Sequence, residues 1–80
     1  MQNFITDPEP PEGSIITAYS NDGSMAMLYK RIGDRWFDDV DAEKAIAENG
    51  VDWQWFADAM YFNFVLMPKR FKMWHERKRK

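Results

Sequence analysis

Residues 14–37 read SIITAYSNDGSMAMLYKRIGDRWF, and the two turns inside this stretch decide the fold. Residues 14–19 are rich in β-branched and aromatic side chains, which suit a pleated, half-buried strand. Ser20, Asn21, Asp22 and Gly23 then supply a tight turn, because Asn, Asp and Gly tolerate positive φ at low cost. Residues 25–31 return as a second strand, with Met25, Met27 and Tyr29 on one face and Ala26, Leu28 and Lys30 on the other. Gly33 and Asp34 make the next turn, and residues 35–37 read as a short third strand. The expected unit is a three-stranded antiparallel meander.

Outward from the meander the pattern changes. On the N-terminal side, residues 1–12 hold three prolines and three acids, so the chain there enters neither a helix interior nor a central strand. It reads as an extended lead-in closed by Gly13. On the C-terminal side, residues 42–48 favour helix and are stopped by Asn49 and Gly50. Asp52 is placed to cap a second helix from Trp53, on which Trp53, Phe56, Ala57 and Met60 share a face. Residues 61–67 either extend that helix to Pro68 or form a fourth, buried strand, and their aromatic and β-branched content leans toward strand. Residues 69–80 form a basic C-terminal tail or helix after a domain spanning 1–68. The fold class expected is α+β.

Composition bounds the function. Eighty residues make one small domain, and without cysteine it depends on its core, built from four Trp, six Phe, three Tyr and six Met. No apolar run approaches a membrane span, and the first residues lack the features of a signal peptide, so a cytoplasmic protein is expected. Net charge is −2, yet residues 1–68 hold twelve acids and four bases whereas residues 69–80 hold seven bases and one acid. An acidic body therefore carries a basic end.

The segment Glu9-Pro10-Pro11-Glu12-Gly13-Ser14-Ile15-Ile16, followed by Asp22-Gly23, Tyr29-Lys30-Arg31 and Gly33-Asp34-Arg35-Trp36, resembles small uncharacterised proteins encoded by phages of actinobacteria. In many of these a Trp-led short helix and a closing apolar strand follow, which favours the strand reading of residues 61–67. The likeness covers residues 8–68. Two features depart from that outline, the acidic helical segment at 38–49 and the basic tail. The resemblance implies a phage origin, hence a bacterial host cytoplasm, and implies no activity.

Catalytic residue types are scarce. The one histidine, His75, sits in the basic tail and reads as solvated, and Ser14, Ser20 and Ser24 have no histidine near them in sequence. No catalytic residue, cofactor or metal ligand is assigned. Asp34, Asp38, Asp39, Asp41 and Glu43 fit helix capping, with an acidic partner-binding face at Asp38, Asp39, Asp41 and Glu48 as the functional reading. Trp55, Phe62 and Phe64 are aromatic candidates for an interface, because one small core has difficulty hiding every aromatic side chain. Lys69, Arg70, Lys72, Trp74, Arg77, Lys78, Arg79 and Lys80 suit a nucleic-acid backbone, with Trp74 able to stack on a base. The expectation is a non-enzymatic accessory protein that binds a host or phage protein, as an inhibitor of a host system or otherwise. Nucleic-acid binding through the tail and self-assembly as a homo-oligomer are the alternatives.

Overall fold

In the computed structural model, which describes residues 1–78, the elements follow in the order β1 (Gln2–Asn3), β2 (Ile15–Ser20), β3 (Ala26–Ile32), β4 (Arg35–Asp38), α1 (Asp39–Lys44), a 3₁₀ turn (Ala47–Asn49), α2 (Trp53–Asp58), β5 (Tyr61–Leu66) and α3 (Trp74–Lys78). The protein is an α+β domain built on one antiparallel sheet with strand order β1-β5-β2-β3-β4. The meander β2-β3-β4 forms as the turn chemistry requires, with Gly23 and Gly33 at φ 76° and 65°. The stretch after α2 is a strand. β5 inserts beside β2 at the centre of the sheet, pairing Thr17 with Val65 and Ala18 with Phe64.

Alternation along the strands sends side chains to two cores. One face gathers Phe4, Ile16, Ala18, Tyr29, Trp36, Phe56, Tyr61 and Phe64, and α2 packs there through Phe56. The other gathers Ile15, Phe37, Ala42 and Met73, with Leu28, Ile32, Met67 and Phe71 half-buried around them; α1 contributes Ala42 to it. Neighbouring positions Ile15 and Ile16 thus serve opposite cores, as a period of two demands.

Residues 1–12 are more than an extended lead-in. Gln2 and Asn3 pair with Phe64 and Asn63, adding a fifth strand, and Phe4 is buried with its ring stacked on Phe56 at 4.7 Å. The prolines hold the returning strap against the sheet. The Pro10 carbonyl accepts from Arg31 Nη1 at 2.7 Å, and Glu9 accepts from Trp36 Nε1 at 2.8 Å. That second bond satisfies the polar tip of a fully buried Trp.

The helices also differ in extent from the sequence expectation. The helix expected at 42–48 starts at Asp39, because Asp38 caps it by accepting from the Asp41 N–H, and it ends at Lys44. Ala45 turns left-handed at φ 50° and sends the chain back, so that Val51 pairs with Trp36 on the outer edge of β4. Met60, expected on the buried stripe of α2, lies beyond it. The helix ends at Asp58, and Met60 takes φ 70° in the turn into β5 with its side chain exposed.

Candidate interaction surfaces

An apolar surface lies at one end of the sheet. There the β2–β3 turn and the turn into β5 are joined by the Asn21 N–H donating to the Met60 carbonyl at 2.9 Å, and Ser20 N–H donates to the Met25 carbonyl at 3.0 Å. Met25 is 51% exposed, Met27 37%, Trp55 37% and Met60 66%. Trp55 rests one side against Tyr29 and Tyr61, at ring-centroid separations of 6.4 and 5.9 Å, and turns the rest of its surface outward. The reason is geometric. Tyr29 and Ala18 are covered from α2, whereas Met27, paired with Ala18 one step nearer the turn, is left at the rim. Three methionines give this end a soft, adaptable surface.

Carboxylates fringe it. Asp58 ends α2, and Asp22 occupies the β2–β3 turn, where it accepts from Ser24 Oγ, Ser24 N–H and Ser20 Oγ at 2.6–2.9 Å. These bonds, led by the Ser24 hydroxyl, hold the Asp22 carboxyl down at about 2. Asp22 is thus a fixed negative charge at the tip of an exposed hairpin.

Of the aromatic candidates, Trp55 belongs to this surface and Phe62 is exposed just beyond Met60. Phe64 is fully buried between Phe4 and Trp53 and has no surface to offer a partner. The methionines were not singled out by sequence reading. The signal available was their placement on both sides of tight turns, where strand ends outrun the covering helix.

Much of the acidic group is engaged in holding the fold. Asp38 caps α1, and Asp39 accepts from the Trp74 N–H at 2.7 Å and the His75 N–H at 3.2 Å, so one carboxylate anchors the start of α3. His75 Nδ1 also lies on the Asp39 carboxylate, and the histidine is half-buried. His75 is therefore a bridging residue between α1 and α3; it is not solvated. Burial acts to raise the Asp39 pKa, but the hydrogen bonds from His75 and Trp74 outweigh it and hold the carboxyl below its usual value. Asp41 is half-buried in the first turn of α1, and Glu48 is exposed on the 3₁₀ turn. Among the described residues no cluster of His, Asp or Glu is arranged to hold a metal ion, and no helix is long and apolar enough to cross a membrane.

At the far end of β2 and β5, residues 67–77 fold back over the second core. Met73 is fully buried, and Lys69, Arg70, Lys72 and Arg77 are exposed around it. Trp74 is 57% exposed. Arg79 and Lys80 lie outside the described residues, as does the side chain of Lys78. Glu76 is pulled two ways. Burial raises its pKa, while Lys30 Nζ at 2.9 Å and the Met73 N–H at 3.0 Å lower it, and the net shift is downward. No family model, curated protein or solved structure matches this chain.

Proposed function

We propose that this protein is a non-catalytic accessory protein of the phage type that its sequence resembles, and that it binds a protein partner through the apolar end of its sheet. The observation that carries this reading is the exposure of Met25, Met27 and Met60 at one end of the sheet, around a Trp55 that rests one side on Tyr29 and Tyr61 and turns the other outward. Apolar surface of this kind, centred on a Trp and bordered by charge, is the usual composition of an interface core and rim. The border here is acidic, with Asp22 and Asp58, so the complementary partner presents an apolar face edged by Lys or Arg. Charge of that sign speeds encounter, and burial of the Trp and methionines supplies the affinity.

The test is selective capture. Nuclease-treated bacterial lysate is passed over the wild-type protein and over Trp55→Ser and Met60→Ser variants. A protein retained by the wild type and lost from both variants supports the reading. Retention that is identical on all three, or that is seen only from lysate left untreated with nuclease, contradicts it. A second copy of the chain is the alternative occupant of the same surface, and sedimentation of the purified protein distinguishes it.

A further inference from the structure

We infer that the opposite end of the molecule is a second site, which takes single-stranded nucleic acid across two adjoining clefts. The first cleft, about 560 Å³, opens between residues 11–15, the end of β5 and residues 67–72; the second, about 470 Å³, lies around Phe71 and Arg77. They share Pro68, Phe71 and Lys72. Lys30, Lys69 and Lys72 line the first, and Arg70, Lys72 and Arg77 line the second, so cations continue from one cleft into the next.

The balance of charge there is open to a ligand. Lys30 is paired with Glu76, whereas Lys69, Arg70 and Lys72 form no ion pair among the described residues. The carboxylates lining the clefts are both engaged. Glu12 accepts from the Gly33 N–H at 2.9 Å, and Glu76 accepts from Lys30 and the Met73 N–H. What faces solvent is a surplus of cations beside aromatic surface. The Arg77 guanidinium lies 5.8 Å from the centre of the Phe71 ring, and Trp74 stands exposed on the same segment. Lys and Arg release counterions from a phosphate backbone, and an exposed aromatic ring stacks on an unpaired base whatever its identity.

Single strands fit better than the other polyanions. A duplex is a broad, stiff cylinder of negative charge, and the body behind these clefts carries twelve acids against four bases. A membrane surface requires an apolar helical face turned outward, but Met73 is fully buried and Phe71 packs against the second core. The site is independent of the proposed protein-binding surface, since the two lie at opposite ends of β2 and β5.

Fluorescence anisotropy with a labelled oligothymidylate of about a dozen nucleotides, titrated over a range of salt, tests this directly. About four phosphate contacts predict a slope of log K against log[salt] near −3. The variant carrying Lys69→Gln, Arg70→Gln, Lys72→Gln and Arg77→Gln, with Lys78, Arg79 and Lys80 left in place, loses most of that slope and binds about tenfold or more weakly. Trp74→Ala weakens the single strand by about tenfold and a duplex of the same length much less. Trp55→Ser leaves oligonucleotide binding unchanged. Circular dichroism of each variant confirms folding, as every substituted side chain is exposed. Absent binding at low salt, an unchanged slope in the fourfold variant, or tighter binding to phosphatidylserine vesicles than to the oligonucleotide overturns the inference.

Discussion

At Asp39 a single carboxylate accepts hydrogen bonds from the Trp74 and His75 backbone and holds the His75 ring, so one side chain of α1 links it to the start of α3. Asp39→Ala removes the side-chain acceptor of two N–H groups at the start of α3 and is expected to cost about 0.5–2 kcal/mol. Asp39→Asn, which keeps an acceptor oxygen, should cost less; urea unfolding of the two variants checks the order. The pH dependence has a definite sign. Asp39 and Glu76 both have pKa values below normal in the folded state, so the stability they contribute is present above the unfolded carboxylate range and is lost as pH falls through their folded values. Unfolding midpoints measured downward from neutral pH should therefore decline below about pH 4 in the wild type, and the decline should be shallower in Asp39→Asn. Gly50 is a different kind of constraint. A Cβ there would stand 2.7 Å from Phe37 Cζ and 2.9 Å from Arg35 Cβ. Gly50→Ala is expected to destabilise by about 1–3 kcal/mol, read from the same unfolding curves. The Asp39–His75 bridge was illegible in the sequence, because nothing local joins positions 36 residues apart. Gly50 was read only as a helix stop; its close approach to Phe37 is a tertiary fact.

Among the elements, the strands were the most legible and the helix ends the least. The meander followed from turn residues with positive φ, whereas the branched and aromatic content of β5 only leaned toward strand, the resemblance adding to that lean. The ends of α1 and α2 depend on where the chain must go next. Ala45 and Met60, two non-glycine residues at positive φ, mark the places where the fold overrode helix propensity. Ala45 is exposed, so Ala45→Gly should relieve left-handed strain and raise stability by about 0.5–1 kcal/mol, as measured by thermal or urea unfolding. The prolines of residues 1–12 correctly excluded a helix, but a two-residue strand leaves no periodicity to detect. Phe4 reaches the core only because β5 is there to receive β1. The C-terminal segment is likewise anchored by a buried side chain. Met73 fills the second core beside Ile15, Phe37 and Ala42, and Met73→Ala is expected to cost about 2–5 kcal/mol. Hydrogen exchange should show early loss of protection at α3 in that variant, ahead of β2 and β5 at the centre of the sheet.

For the molecule as a whole, the two ends of the same central strands differ in the charge that borders their exposed surface. One end presents Trp55 and three methionines with an acidic border; the other presents cations lining two clefts. The division of charge was plain in the sequence, because the bases cluster in its last twelve positions. The apolar end was only half legible. Trp55 stood out as surplus to a helical stripe, but Met25 and Met27 were assigned only to a strand face and Met60 to the helix stripe, since periodicity assigns a side chain to a face without saying how far the covering helix extends. The proposed function places a protein partner over that end. The most direct measurement is photo-cross-linking from benzoylphenylalanine placed at Met60, compared with the same group at exposed Glu48, in nuclease-treated bacterial lysate. One dominant cross-linked protein is expected from position 60, absent from position 48 and competed away by unlabelled wild type but not by Trp55→Ser. Equal, diffuse cross-linking from both positions, or competition by Trp55→Ser as effective as by the wild type, would contradict it.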